Sequence, residues 1–198
     1  MGKTKIAVFA SGSGSNFEAI AQACRSGELL AEIVVVITDR PAAYVVERAK
    51  EMNIPVAAYE AKAFRSKEAF EKAIVERLTD DGVEWLVLAG YMRLIGPTLL
   101  NAFPSRIVNI HPSLLPAFPG KDAIGQAIAH GVKVTGVTVH LVDEGMDTGP
   151  ILAQQAVAVV HNDLEKTAQS IHEVEHVLYK ETLQQLFKPI YTTSESQK

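Results

Sequence analysis

Short apolar segments alternate with amphipathic helical segments through the first half of the chain, and this alternation restricts the fold more than any other feature. The apolar runs cover residues 5–10, 32–38, 54–57, 85–89 and 105–110, and helical patterns lie between them. Parallel strands need long crossover connections, which are usually helices. The pattern therefore predicts βαβ units whose strands are buried on both faces.

The second half of the chain changes this pattern. A helix near residues 122–130 precedes an apolar strand at 134–142, and a short loop leads to a strand at 151–159 and a last helix at 164–187. The short loop favours antiparallel or edge pairing. The predicted fold class is α/β: a single-domain, Rossmann-like, mostly parallel twisted sheet with helices on both faces and an antiparallel strand near the C-terminal part. We expect residues 1–198 to form one domain.

Composition and charge exclude several classes of protein. The net charge is −4 without a basic tract, which argues against a nucleic-acid partner. Cys24 is the single cysteine, so an internal disulfide is impossible, and its helical spacing from Phe17 and Ile20 predicts a core position. The first apolar run is too short to span a bilayer. We therefore expect a soluble, cytoplasmic protein with no membrane partner.

The motif Asn109-Ile-His-Pro-Ser-Leu-Leu-Pro116 lies at the end of the fifth apolar run and combines polar groups with prolines that interrupt regular secondary structure. Residues i and i+2 of a strand lie on the same face, so Asn109 and His111 should point the same way at the end of a buried strand. An amide donor beside an imidazole suits a reaction in which an oxyanion develops. A buried, satisfied histidine at a strand end is the alternative interpretation.

The loop Ser-Gly-Ser-Gly-Ser-Asn at residues 11–16 lies between the first strand and the first helix. Backbone N–H groups at a helix N-terminus form an anion site, so Gly14, Ser15 and Asn16 are candidates for holding a phosphate monoester. Ser15 or Asn16 is the expected N-cap. The dinucleotide-binding fingerprint needs a third glycine where this chain has Phe17. A plain βα turn is the alternative interpretation.

Two further motifs contain possible metal ligands. The loop at residues 143–150 contains Asp143 and Asp147 but lacks the spacing of an EF-hand, and Asp147 could instead meet His111, where a carboxylate favours the imidazolium. The segment His172-Glu-Val-Glu-His176 matches the zinc pattern His-Glu-x-x-His. A catalytic zinc needs a third protein ligand that the sequence does not indicate, so we expect no metal. His140, on a predicted strand, is a further candidate for the site.

Together, the 109–116 motif, the Asp-x-Gly-Pro sequence at 147–150 and the 11–16 loop resemble the phosphoribosylglycinamide formyltransferase family, within the wider formyltransferase superfamily. The resemblance covers nearly the whole chain. It implies formyl transfer from 10-formyltetrahydrofolate, a co-substrate, to the amine of glycinamide ribonucleotide in purine biosynthesis. It further implies a phosphate-binding half at about residues 1–100 and a catalytic, folate-binding half at about 85–190. The expected enzyme needs no metal and is a monomer or a homodimer.

The resemblance also implies a role for individual residues. Asn109, His111 and Asp147 match the catalytic triad. Gly14, Ser15 and Asn16 match the loop that holds the ribose phosphate, and Glu175 matches a glutamate that contacts glycinamide ribonucleotide. The residues that match the folate pocket are Met92, Arg93, Leu94, Ile95, Val142 and Asp143. A cis proline is expected at Pro116, and Ala117 stands where some relatives have a basic residue.

Four other functions compete with this interpretation. A formyltetrahydrofolate hydrolase would share the central motif, whereas a methionyl-tRNA formyltransferase would need the basic surface that this chain lacks. A nicotinamide dehydrogenase would use Asp39 near the end of the second strand, but the missing third glycine argues against it. A nucleotide-binding module without catalysis would explain the glycine-rich loop and not the triad.

Overall fold

The computed structural model describes residues 2–160 and 163–187, which form one seven-stranded sheet flanked by six α-helices. The strands are β1 (Thr4–Phe9), β2 (Ala31–Thr38), β3 (Val56–Ala58), β4 (Trp85–Leu88), β5 (Ile107–His111), β6 (Val134–Leu141) and β7 (Ile151–Ala158). The helices are α1 (Ser15–Ser26), α2 (Tyr44–Glu51), α3 (Lys67–Asp80), α4 (Pro97–Ala102), α5 (Ala123–Ala129) and α6 (Leu164–Leu186).

The strand order β3-β2-β1-β4-β5-β6-β7 confirms the predicted fold class. All pairs from β3 to β5 are parallel, and β6 is antiparallel to both β5 and β7. The chain adds strands outward from β1 to β3 and then returns to place β4 on the other side of β1. Such a switch point opens a crevice at the carboxyl ends of the strands, where open α/β sheets bind their ligands.

Alternation along β1 divides the core into two layers. Ile6 and Val8 pack with residues of α1, α2 and α6, whereas Ala7 and Phe9 pack with residues of α3 and α4 on the opposite face. All four side chains are fully buried. Helices therefore cover both faces of the sheet, as a strand pattern of continuous apolar residues predicts.

Two predicted helix starts are wrong, for identifiable local reasons. Because proline favours the first turn of a helix, the sequence predicts that the second helix begins at Pro41. It begins at Tyr44 instead, since Pro41 is the second residue of a turn closed by the hydrogen bond from the Ala43 N–H to the Arg40 carbonyl, 2.9 Å apart. In α1 the N-cap is Gly14, with φ of 78°, rather than Ser15 or Asn16. Both of these residues belong to the first helical turn instead.

Tyr179 fixes α6 against the sheet next to the crevice. Its ring is buried, and its hydroxyl lies 2.8 Å from the carbonyl oxygen of Leu88 and 3.0 Å from that of Val108. Leu88 is the last residue of β4, and Val108 lies in the neighbouring strand β5. Burial strongly raises the pKa of the Tyr179 phenol, so the hydroxyl keeps its proton for these bonds.

Across residues 2–160 and 163–187, none of the helices has both the length and the apolar character that crossing a membrane requires.

Candidate active site

A cavity of about 480 Å³ opens at the carboxyl ends of β1, β4 and β5. Its walls come from segments that are far apart in the sequence. These include residues 12–16, residues 89–95, residues 109–112, residues 120–124, part of 140–147, and His172 with Glu175 on α6. The switch point thus brings the glycine-rich loop, the 109–116 motif and the acidic loop to one site.

Every site residue predicted from the sequence lines this cavity except Asp143. The Asp143 carboxylate turns into its own loop, where its Oδ1 accepts hydrogen bonds from the Gly145 N–H at 3.0 Å and the Thr148 hydroxyl at 2.7 Å. Asp143 therefore shapes the loop that holds Asp147.

Asn109, His111 and Asp147 meet at the centre of the cavity. The Nδ1 atom of His111 lies 3.5 Å from Oδ2 of Asp147, and its Nε2 atom lies 2.9 Å from the carbonyl oxygen of Phe118. Because a carbonyl oxygen only accepts, Nε2 carries a proton and donates it. The Gly120 N–H donates to Asp147 Oδ2 at 2.7 Å and holds the carboxylate in place. The imidazole is thus fixed at one nitrogen and faces a negative charge at the other.

His140 extends this centre by a fourth side chain. It pairs with Asn109 across the antiparallel strands β5 and β6, and its Nε2 atom lies 3.1 Å from Nδ2 of Asn109. Its Nδ1 atom is 2.8 Å from the Leu141 carbonyl and must donate there. Burial lowers the pKa of His140 more than the neighbouring Asp147 raises it, so the ring stays neutral. The free lone pair on Nε2 then accepts an N–H of Asn109.

The glycine-rich loop ends in the first turn of α1 at one end of the cavity. Gly14 adopts the left-handed conformation, and a Cβ atom there would lie 2.7 Å from Cγ2 of Val45. Within the described part of the chain, no side chain caps this helix end. The amides of the first turn are therefore available to an anion, whose charge the helix dipole favours.

Glu175 joins α6 to the glycine-rich loop. Its carboxylate is nearly fully buried, and Oε2 accepts from Nδ2 of Asn16 at 3.2 Å and from Nδ1 of His172 at 2.9 Å. The hydrogen bond from His172 to Glu175 raises the pKa of His172. The Oδ1 atom of Asn16 is buried without a partner among the described residues. A ligand with an N–H or O–H group could satisfy it.

Several cavity residues were not predicted as site residues. They include Tyr91, Lys121, Asp122 and His172. Spacing could have indicated His172, because residues i and i+3 share a helix face and Glu175 was already a candidate. The peptide bond before Pro116 is cis, as the resemblance implied.

The zinc interpretation of residues 172–176 finds no further ligands. In the residues that the structure describes, no three His, Cys, Asp or Glu side chains are grouped to hold a metal ion. His172 instead bonds to Glu175.

The side chains of Asn109, His111 and Asp147 meet at the switch point of the sheet, and comparison with known families shows to which class of protein the chain belongs. The family model described as formyl transferase matches residues 4–183, and the chain belongs to this family. The family-level resemblance deduced from the sequence is therefore confirmed.

Particular relatives narrow this class. Phosphoribosylglycinamide formyltransferase of Bacillus subtilis is 55% identical over 92% of this chain and 94% of its own length. The crystal structure of phosphoribosylglycinamide formyltransferase from Bacillus halodurans is 56% identical, with a TM-score of 0.91 over 93% of this chain and 96% of its own. Glycinamide ribonucleotide transformylase 1 from Symbiobacterium toebii is 45% identical, with a TM-score of 0.92 over 94% and 88%.

Proposed function

We propose that this chain transfers the formyl group of 10-formyltetrahydrofolate to the primary amine of glycinamide ribonucleotide, a step of purine biosynthesis. The observation that supports this most directly is the convergence of Asn109, His111 and Asp147 between the glycine-rich loop and the 92–95 segment. A single cavity thus contains a binding region for each of the two substrates, with the reaction centre between them. The names of the similar enzymes agree with this assignment.

The ribonucleotide occupies the end of the cavity next to α1. Its phosphate binds the backbone amides around Gly14, Ser15 and Asn16, where the N-terminus of a 12-residue helix attracts negative charge. Glu175 and the unpaired Oδ1 atom of Asn16 provide acceptors for donor groups of the same substrate. This arrangement directs the substrate amine towards Asn109 and His111.

The folate occupies the other end. Met92 and Leu94 are half exposed although they are large and apolar, so they offer contact surface for an aromatic ligand. Arg93, Ile95 and Val142 complete this wall of the cavity. Asp143 acts indirectly in this proposal, through the shape of its loop.

The chemistry at the centre is an addition followed by an elimination. The amine attacks the formyl carbon, and the carbonyl oxygen becomes an oxyanion. This oxyanion accepts hydrogen bonds from Asn109 and from the Nδ1–H of protonated His111, whose Nε2–H stays bonded to the Phe118 carbonyl. Asp147 balances the positive charge on the imidazole across 3.5 Å. A proton then moves from the attacking nitrogen to N10 of the folate, directly or through water, and the bond between N10 and the formyl carbon breaks. Residues of the cavity hold both substrates in attack geometry.

Absorbance of a 10-formyl dideazafolate, followed with and without glycinamide ribonucleotide, tests the proposal. We expect deformylation only when the ribonucleotide is present. Equal deformylation without it would instead identify a hydrolase.

Asn109→Ala and Asp147→Asn test the assigned roles, and each should lower turnover by about 10²–10³-fold, as the loss of an oxyanion-hole donor does. Glu144→Gln is the matched control, because this carboxylate belongs to the same loop but is exposed and outside the cavity wall. Near-normal turnover of both site variants as folded proteins would contradict the roles given to them.

We further propose that residues 1–198 form a single formyltransferase domain that works in the cytoplasm as a monomer or a homodimer. Sedimentation analysis distinguishes these two states.

A further inference from the structure

The segment 90–96, here called the folate-side loop, connects β4 to α4 without regular secondary structure. It supplies most of one wall of the cavity, and its Met92 and Leu94 side chains are 50% and 48% exposed. Tyr91 and Ile95 of this loop pack into the core layer that contains Phe9, whereas the half-exposed Met92 and Leu94 have few contacts that would fix their conformation. Hydrogen bonds to residues outside the loop hold its backbone at both ends.

Glu71 of α3 anchors the far end. Its side chain is 2% exposed, and its Oε1 atom accepts from the Gly96 N–H at 2.6 Å, while Oε2 accepts from the Leu99 N–H at 3.3 Å. Lys67 is the nearest cation, with Nζ 3.8 Å from Oε1. A Cβ atom on Gly96 would lie 2.6 Å from Oε1, so the carboxylate packs directly on the backbone.

A buried carboxylate is costly unless its partners compensate for lost hydration. The hydrogen-bond partners of Glu71 are two backbone amides at the junction of the loop and α4. Phe70, the preceding residue, contacts the same loop, since the Arg93 guanidinium lies 5.1 Å above its ring. Helix α3 therefore supports the loop through two consecutive side chains.

Ser11 anchors the near end. It is 1% exposed, and its hydroxyl accepts from the Met92 N–H at 2.9 Å and donates to Oδ1 of Asp39 at 2.5 Å. Its own N–H donates to the Gly90 carbonyl at 3.1 Å. Ser11 is also the residue from which the glycine-rich loop departs, so it contacts both substrate-binding segments.

We propose that Glu71 and Ser11 are positioning residues for co-substrate binding, which hold the folate-side loop in its binding conformation before the folate arrives. This inference rests on the proposed function. A loop that is ordered in advance loses less conformational entropy on binding, which increases affinity without any new contact with the ligand. The two anchors differ in reach: Glu71 contacts only the end of the folate-side loop and α4, whereas Ser11 also fixes the start of the phosphate-binding loop.

Glu71→Gln tests this separation, because an amide keeps the shape but replaces one acceptor oxygen with a donor. We expect it to raise KM for the formyl folate by about tenfold, the effect of losing one charged hydrogen bond, with KM for the ribonucleotide and kcat within about twofold of wild type. Glu68→Gln is the matched control: Glu68 is on the same helix, exposed, and should leave all three parameters unchanged. Ser11→Ala should raise both KM values.

Calorimetric titration with a dideazafolate inhibitor, together with a thermal unfolding curve for each variant, completes the test. Weaker inhibitor binding by folded Glu71→Gln and not by Glu68→Gln supports the inference. If the wild type is active but Glu71→Gln and Glu68→Gln have the same KM for the formyl folate, this inference is wrong and the proposed function stands. The same conclusion follows if Glu71→Gln raises both KM values equally. A wild type without ribonucleotide-dependent turnover overturns the proposed function and this inference with it.

Discussion

Nδ2 of Asn109 lies 3.1 Å from Nε2 of His140, and the two residues are direct partners in the antiparallel register of β5 and β6. His140 is 2% exposed, and its Nδ1–H is directed to the Leu141 carbonyl. The neutral ring therefore presents a lone pair that accepts one N–H of the Asn109 amide. A flipped amide would place its oxygen against this lone pair, so His140 fixes which end of Asn109 faces the cavity.

Removing the His140 ring should reduce turnover, although the amide of Asn109 remains as a donor to the oxyanion. We expect His140→Ala to lower kcat about tenfold, less than the 10²–10³-fold that a lost oxyanion donor costs. KM for both substrates should change little. Steady-state kinetics on folded protein measures these effects.

A double-mutant cycle shows whether His140 acts through Asn109. If it does, His140→Ala should have almost no further effect on kcat in an Asn109→Ala background. Independent, multiplicative effects of the two substitutions would mean that His140 acts on the reaction by another route.

Asn109, His111 and His140 show what the sequence could and could not predict about the site. Asn109 and His111 were predicted to share a face from strand alternation alone, and both line the cavity. The contact of Asn109 with His140 depends on the register of β5 against β6. Register is set by packing and by the connecting chain, so sequence could indicate His140 as a candidate but not its partner.

The fold itself was predictable to within its element boundaries, because continuous apolar runs and helical periodicity are local signals. The start of α2 was not, since Pro41 favours both the first turn of a helix and the second position of a β-turn. The turn at Arg40–Ala43 is the one that forms. Similarly, Gly14 serves as N-cap because its left-handed backbone is needed beside Val45, a tertiary requirement that sequence does not reveal.

Cys24 should be inert in the native protein. Burial raises the pKa of its thiol to about 11, so very little thiolate is present at pH 8. We expect a thiol-specific disulfide reagent to react slowly with the folded enzyme and promptly after denaturation. Because Cys24 is the only cysteine, one absorbance trace reports on this side chain alone. Rapid modification of folded protein, or inactivation that precedes unfolding, would contradict this prediction.

Gly14→Ala should destabilise the fold and disturb the phosphate end of the cavity. The added Cβ would meet Val45 at 2.7 Å, and φ of 78° strains any residue with a side chain. We expect a loss of about 1–3 kcal/mol in the free energy of unfolding, the range for a residue forced into the left-handed region. Urea denaturation measures this loss.

Two comparisons separate steric conflict from backbone strain. Gly12→Ala is the matched control for stability, because a Cβ there meets nothing within 4 Å. Adding Val45→Ala to Gly14→Ala should recover part of the loss if the contact with Val45 contributes to it. Equal stability of the Gly12 and Gly14 variants would show that neither effect is important.

The ion pair between His172 and Glu175 predicts a pH dependence of defined sign. The hydrogen bond that His172 donates to Glu175 raises the pKa of His172 above its ordinary value, so the folded state binds this proton more tightly than the unfolded state. The pair therefore stabilises the fold fully below the unfolded pKa of histidine, near 6.5. Its contribution disappears as pH rises through the elevated folded value. The His172 side chain is 52% exposed, so solvent screening keeps the effect small.

The proton resonances of His172, followed by NMR as pH is varied, measure this directly. Glu175→Gln removes the carboxylate, and we expect the midpoint for His172 to fall towards the ordinary range. Glu173→Gln is the matched control, because Glu173 is exposed on the same helix and bonds to Gln169 instead. A midpoint that is the same in wild type and Glu175→Gln would mean that the carboxylate does not stabilise the imidazolium. In that case the raised pKa given to His172 would be wrong.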